Sequence, residues 1–185
     1  RMVAALEHRG PDSLRGVVQR GVALGHTRLS IIDLAGGVQP MIDAASGTVL
    51  VFNGEVFNHD ALRDELVGHA FRTRSDTEVL LAAFLRWGDR CVERVNGQFA
   101  FAVWQPALRR LTLARDAVGI CPLFVARQGR GLAFASEIKA LIAGGFVDGD
   151  LDPDGVAQAL SLWAPLAPRT PFRGVESLWP GPVVT

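Results

Sequence analysis

Asn53, Gly54 and Glu55 follow the apolar run Val49-Leu50-Val51-Phe52, bringing together an amide side chain, a backbone N–H with no side chain beside it and a carboxylate. The run reads as a buried strand, Thr48 to Phe52, that opens into a turn at the tripeptide. Donors held rigidly at such a point are the parts of an oxyanion hole, which stabilises negative charge as it develops on a carbonyl oxygen. A glycine there would let a substrate approach the backbone closely. Asn-Gly is also a common hairpin turn signal, so the tripeptide alone does not choose between a site and a turn.

Three other polar stretches adjoin apolar segments: His8 to Asp12, His26-Thr27-Arg28-Leu29-Ser30 and Ser75-Asp76-Thr77-Glu78. Strand ends and helix starts of this kind are where sites are usually built. Arg28 offers a planar fork matched to a carboxylate, and Glu55 with Asp76 could hold an ammonium. One arginine and two acids make a receptor for an α-amino acid zwitterion. The same residues could instead pair Arg28 with Glu55 or Asp76 to neutralise a buried charge. Arg9 with Asp12, and Arg115 with Asp116, are similarly open: each couple either ties down its own loop or faces a ligand or partner domain.

The elements that must carry these groups are legible as patterns. Amphipathic spacing begins at Arg1 to Leu6, and Gly10-Pro11 stops it. Gly16 to Gln19 and Val22 to His26 read as a hairpin, and Leu29 to Leu34 as an apolar run toward a Gly- and Pro-rich loop. Apolar residues recur at three and four from Asp60 to Val67 and from Asp76 to Trp87, giving two helices, the second capped by Ser75 or Asp76. A short helix is expected around Cys91 to Val95. Runs at 98–104, 110–114, 122–126 and 131–135 read as four successive strands of an antiparallel meander. Closing helices are expected over 137–143 and 153–162. Pro165, Pro168 and Pro171 mark an extended tail, so the reading is one domain over 1–164 and a linker over 165–185. Helices and strands segregate rather than alternate, which argues α+β with antiparallel sheets.

Composition narrows the function classes. The 185 residues are 49% hydrophobic, enough for one buried core. Nineteen basic and nineteen acidic residues give a formal charge of zero, so no basic face for nucleic acid or anionic membrane stands out. No apolar run reaches the roughly 20 residues that span a bilayer. Cys91 and Cys121 are the only cysteines, which suits a reducing, cytoplasmic setting better than a disulfide framework. The four histidines, His8, His26, His59 and His69, lack the spacing and thiolate companions of a zinc site, so no metal is expected.

His8-Arg9-Gly10-Pro11-Asp12, His26-Thr27-Arg28-Leu29-Ser30-Ile31-Ile32-Asp33, Asn53-Gly54-Glu55-Val56-Phe57-Asn58 and Ser75-Asp76-Thr77-Glu78 together resemble the glutaminase domain of glutamine-dependent asparagine synthetases. Asn96-Gly97-Gln98-Phe99-Ala100-Phe101-Ala102, Arg115-Asp116 with Gly119 and Pro122-Leu123-Phe124, and Ala135-Ser136-Glu137-Ile138-Lys139-Ala140-Leu141 extend the resemblance over nearly the whole chain. Pro11 and Leu29-Ser30-Ile31 favour that branch over amidotransferases that make glucosamine phosphate or phosphoribosylamine.

The resemblance implies a four-layer αββα sandwich of the N-terminal nucleophile hydrolase type. It implies an N-terminal cysteine thiolate that attacks the glutamine side-chain amide, with its own α-amino group as base. Asn53 and Gly54 would stabilise the oxyanion, Arg28 would bind the glutamine α-carboxylate, and Glu55 and Asp76 its α-amino group. Leu29 and Ile31 would complete the substrate-binding set. Partners would be glutamine, a C-terminal synthetase domain and, in a homodimer, a second copy. ATP and Mg²⁺ would belong to that synthetase domain, since these residues contain no phosphate loop. The departure from the family pattern is the nucleophile: no Cys-Gly start is present, and neither Cys91 nor Cys121 has the α-amine base. The expectation is therefore a glutaminase domain truncated at its N-terminus and inactive as this chain alone. The competing expectation is a catalytically inactive scaffold like that of the β-lactam-forming relatives.

Overall fold

Three apolar clusters separate four layers of secondary structure in the computed structural model, which describes residues 1–29, 33, 36–181 and 183–185. The first layer is helical: α2 (His59–Glu65) and α3 (Asp76–Trp87). They lie on a five-stranded sheet ordered β10-β6-β5-β4-β3, from Val183–Val184, Arg110–Arg115, Gly97–Gln105, Val49–Val56 and Met41–Ile42. The next layer contains the hairpin β1 (Ser13–Gln19) and β2 (Val22–Arg28), and a three-stranded sheet ordered β8-β7-β9, from Gly131–Ala135, Phe124–Gln128 and Val175–Ser177. The short α1 (Met2–Ala5) and α4 (Ile138–Gly144) close the far side, and α5 (Pro153–Leu162) follows. This is the αββα order expected, with antiparallel pairing between all named strands.

The period of two along β4 assigns its faces. Leu50, Phe52 and Val56 join Val79, Leu80 and Phe84 in the cluster beneath the helices, while Val49 and Val51 join Leu24, Trp104 and Val125 between the sheets. Asn53 and Glu55 continue the second series, so their side chains leave β4 on the intersheet face. A third cluster of small residues, Ala126, Ala133, Ala135 and Ala140 with Leu141, seats α4 and α1 closely on the outer sheet.

Several expectations change. The tripeptide does not open into a turn: β4 runs through it to Val56, because β5 pairs with it over Val49 to Val56. The four-strand meander divides, since β5 and β6 belong to one sheet and β7 and β8 to the other. The loop 116–122 carries the chain between them. The helix expected at Cys91 to Val95 is a 3-10 turn over Gly88–Glu93. The segment read as an extended tail contains β9, paired with β7, and β10, paired with β6, because both sheets leave an edge there. The run Leu29 to Leu34 lies largely outside the described residues.

Buried carboxylates fix the loops around the site. Ser75 Oγ accepts the Glu78 N–H, while Glu78 reaches back to accept the backbone N–H groups of Arg72 and Thr73 at 2.7–3.1 Å, a reciprocal cap on α3. Asp116 accepts the N–H groups of Val118, Gly119, Ile120 and Cys121 at 2.6–3.2 Å, and that of Phe99 at 3.3 Å. Arg115 works on the same loop from the other side, donating to the carbonyls of Gly119, Cys121 and Leu178. The Arg115-Asp116 couple thus ties its own loop, one of the two roles the sequence left open. Burial by itself would raise the Asp116 and Glu78 pKa values, but the converging N–H donors outweigh it and hold both carboxyls below their ordinary range.

Two outcomes follow from this packing. Phe84→Ala, emptying a side chain 2% exposed, should cost about 3–5 kcal/mol in urea unfolding at unchanged m-value. Asp116 ionises more readily folded than unfolded, so its contribution is present above the ordinary value of 3.8 and is lost as pH falls through the folded value. The stability gap between wild type and Asp116→Asn should therefore stay level in urea titrations from pH 7 to about pH 5 and narrow only as the pH is taken through and below about 4.

Candidate active site

A cleft of about 410 Å³ opens where the end of β2, the second half of β4, the start of α3 and the loop 116–122 meet. Arg28, Leu29, Asn53, Gly54, Glu55 and Asp76 all line it. Ile31, the remaining residue of the expected set, lies outside the described residues.

Gly54 owes its conformation to its neighbour strand. Its φ is +141°, and a Cβ there would stand 2.0 Å from the Gln98 carbonyl oxygen. The close approach that demands glycine is therefore that of β5, not of a substrate. The direction of the Gly54 amide follows from the ladder. Phe99, opposite Gly54, directs its N–H and C=O to Asp116, so the pair is a non-hydrogen-bonded one and Gly54 turns its own N–H away from β5. It faces the edge of β4 beyond the end of β3, and no partner for it exists among the described residues.

Asp76 stands one residue after the Ser75 cap, 6% exposed, and its Oδ2 accepts the Val56 N–H at 3.1 Å on this same edge. Glu55 and the Asn53 amide make no hydrogen bond or ion pair among the described residues. Arg28 is 8% exposed and donates through Nη2 to the Asp33 carbonyl at 2.8 Å. Neither Glu55 nor Asp76 forms an ion pair with it, so the alternative in which these charges merely neutralise one another is not the arrangement found. Arg28 is itself backed by the loop 8–12: a Cβ on Gly10 would collide at 2.5 Å with the Thr27–Arg28 backbone, and the Asp12 N–H donates to the Arg28 carbonyl. Arg9 reaches the cleft while paired with Glu137, which also meets His8 and Lys139. Burial opposes ionisation of Glu137, but these three partners prevail and bring its pKa to about 2.

Cys121 lines the cleft as well, which its position in the sequence did not suggest. Burial and the nearby Asp116 carboxylate raise its pKa, and burial beside Asp89 raises that of Cys91 to about 12, so both remain protonated thiols at neutral pH. Gln39 was also missed, and His26, though inside a candidate stretch, was given no role of its own. Both contact the backbone of Phe52, and no local pattern marks a glutamine in a loop for that task. Among the described residues no group of His, Cys, Asp and Glu is arranged to hold a metal ion.

Comparison with known proteins agrees with this geometry. The family model described as a glutamine amidotransferase domain matches residues 1–185. The chain is 38% identical over 190 residues to asparagine synthetase [glutamine-hydrolyzing] 3 of Bacillus subtilis, covering 100% of this chain and 31% of that protein. It is 40% identical over 193 residues to a putative asparagine synthetase [glutamine-hydrolyzing] of Mycobacterium tuberculosis, covering 95% of this chain and 29% of that protein. The chain thus spans about a third of the length of these relatives. Among solved structures, the allosteric regulatory enzyme of purine biosynthesis superposes with a TM-score of 0.55 at 28% identity, over 66% of this chain and 29% of that one. Glutamine phosphoribosylpyrophosphate amidotransferase from B. subtilis, at 24% identity and a TM-score of 0.58 over 84% of this chain and 34% of that one, shares the fold. With an αββα sandwich of the N-terminal nucleophile hydrolase type and a family match over its whole length, this chain belongs to the glutamine amidotransferase domain family.

Proposed function

We propose that this chain is the glutaminase part of a larger asparagine synthetase-like enzyme, hydrolysing glutamine to glutamate and ammonia. The observation that carries this reading is the placement of the Asn53 amide and the outward Gly54 N–H in one cleft with Arg28, Glu55 and Asp76. Arg28 offers its guanidinium to the α-carboxylate, and Glu55 and Asp76 receive the α-ammonium. The side-chain amide of the bound glutamine then points along β4 toward Asn53 and Gly54.

The reaction needs a thiolate. In the family's scheme it is that of an N-terminal cysteine, whose α-amino group takes the thiol proton. Sulfur attacks the amide carbon, a C–S bond forms, and the carbonyl electrons move onto oxygen, where the Asn53 side chain and the Gly54 N–H stabilise them. Collapse breaks the C–N bond, and the protonated nitrogen leaves as ammonia. Water then cleaves the γ-glutamyl thioester, releasing glutamate and restoring the thiol. Cys91 and Cys121, buried and with raised pKa values, do not fit this role. Ammonia would pass to a synthetase domain that uses ATP and Mg²⁺ to activate aspartate, and the free buried thiols suit a cytoplasmic setting. A glutamine-holding scaffold without catalysis is the alternative. It differs in one feature, the residue at the mature N-terminus.

Glutamate release by the protein in its native, complete form, read beside mass-spectrometric identification of its N-terminal residue, decides between the two. A mature N-terminus other than cysteine would remove the hydrolytic reading. Asn53→Ala should lower kcat for glutamine hydrolysis by roughly 100- to 1,000-fold, and retained turnover would refute the oxyanion assignment. Arg28→Ala should act mainly on KM, raising it on the order of tenfold or more by removal of a charge-assisted contact to the α-carboxylate.

A further inference from the structure

The edge of β4 changes partner at every second residue. Leu50 pairs with Met41, the first residue of β3, so β3 pairs no further along β4 than Leu50. At Phe52 a side chain takes the place of the strand: Gln39 Oε1 accepts the Phe52 N–H at 2.6 Å, and Gln39 Nε2 donates to the Phe52 carbonyl at 2.9 Å. A primary amide presents one acceptor and one donor on the same plane, so it can stand in for a backbone peptide in a ladder. His26 Nε2 lies 2.9 Å from the same carbonyl oxygen, which can only accept, so Nε2 carries the proton. At Val56 the edge is held again, by Asp76. Gly54 lies between these two clamps.

Gln39 is 7% exposed and spends its amide on the N–H and C=O of this one residue, bridging the two peptides that flank it. A lost hydrogen bond inside a fully paired sheet would be backed by neighbouring strands. Here the β3 side of Phe52 has no strand, so on that side only the Gln39 and His26 side chains hold the carbonyl of the peptide that leads into Asn53, whose other side is held by the pairing of Asn53 with Ala100 of β5. We infer that Gln39 and His26 are positioning residues for the oxyanion donors, holding the Phe52–Asn53 peptide so that the Asn53 side chain and the Gly54 N–H converge on one point. This deepens the proposed glutaminase function and rests on it. Neither residue touches the substrate's charged groups in this assignment, so their effect belongs to the rate of the chemical step and not to glutamine capture.

The test uses the complete protein, with wild type, Gln39→Met, Gln39→Glu and His26→Phe compared for kcat and KM, and with Asn53→Ala combined with Gln39→Met in a double-mutant cycle. Gln39→Met keeps the length and removes both bonds. Gln39→Glu keeps the volume and the acceptor for the Phe52 N–H, and it decides the matter if the methionine variant fails to fold. The expected result is a loss of kcat of roughly 10- to 100-fold in Gln39→Met, the scale of a small misplacement of reacting groups, with KM for glutamine within about threefold of wild type. Gln39→Glu should fall between them. The cycle should be non-additive, with Gln39→Met costing little once Asn53 is alanine, which a merely structural role would not produce. Folded variants with kcat within twofold of wild type, a change confined to KM, or strict additivity would each overturn the proposal while leaving the glutaminase reading intact. A wild-type protein with an N-terminal cysteine that releases no glutamate would overturn both.

Discussion

β4 has a partner strand along one side for its full length and along the other for only two residues. This asymmetry underlies the site. An antiparallel strand directs alternate residues' N–H and C=O groups to opposite sides, so every even residue of β4 faces the poorly covered edge. Sheets ordinarily treat such an edge as a liability and cover it. Here it is covered piecemeal, by a glutamine side chain at Phe52 and an aspartate at Val56, and the amide between them is left facing a cleft. The two layers of β-structure add the second requirement. Because odd residues of β4 face the intersheet space, Asn53 and Glu55 point into the same region that the end of β2 brings Arg28 to.

The loops that complete the cleft are held by charge rather than by apolar packing. Glu78 organises 72–75, and Asp116 with Arg115 organises 116–121, each carboxylate gathering several backbone N–H donors that a loop would otherwise leave to water. A carboxylate that accepts this many bonds is stabilised in its ionised form despite burial, and it in turn makes the loop a single-conformation object. Cys121 shows a consequence. Its position on the cleft wall comes from the Asp116 cradle, and the negative charge that places it there also disfavours its thiolate.

Much of the fold was legible from the chain because its two periods are clean. Val79, Leu80, Ala83 and Phe84 fall on one helical face, and all are buried beneath α3. Ser75 and Asp76 ahead of the periodic run marked the helix start, and the structure assigns the cap to Ser75. The end of β4 was misread because Asn-Gly carries strong turn propensity, and tertiary pairing with β5 overrode it; the glycine is required by the Gln98 carbonyl, a contact 44 positions away that no local pattern reveals. The meander was misread for a related reason. Strand patterns do not say which sheet a strand joins, and here the long loop cradled by Asp116 carries the chain across. The charged site residues were legible because Arg28, Glu55 and Asp76 are types that rarely lie together near apolar runs without a ligand or a partner. Gln39 was not, since its role depends on where β3 begins.

The charges lining the cleft bear on the ligand proposed for it. Asp76 is almost fully buried and its one hydrogen bond is to a backbone N–H, while Glu55, half-buried, has no partner among the described residues. Carboxylates are costly to desolvate, and a neutral ligand closing over the cleft would leave that cost in place. A simple cation would offset it, yet the nearby Arg28 guanidinium would repel such a cation. An α-amino acid zwitterion satisfies all three groups at once, and its fixed separation of ammonium and carboxylate matches only a ligand held in one orientation. Orientation is what an amide side chain needs if its carbonyl oxygen is to meet two donors on a strand edge. In the proposed glutaminase reading the charged groups and the uncharged donors of the cleft serve one requirement, that a glutamine be held by its constant end so that its variable end is presented to Asn53 and Gly54.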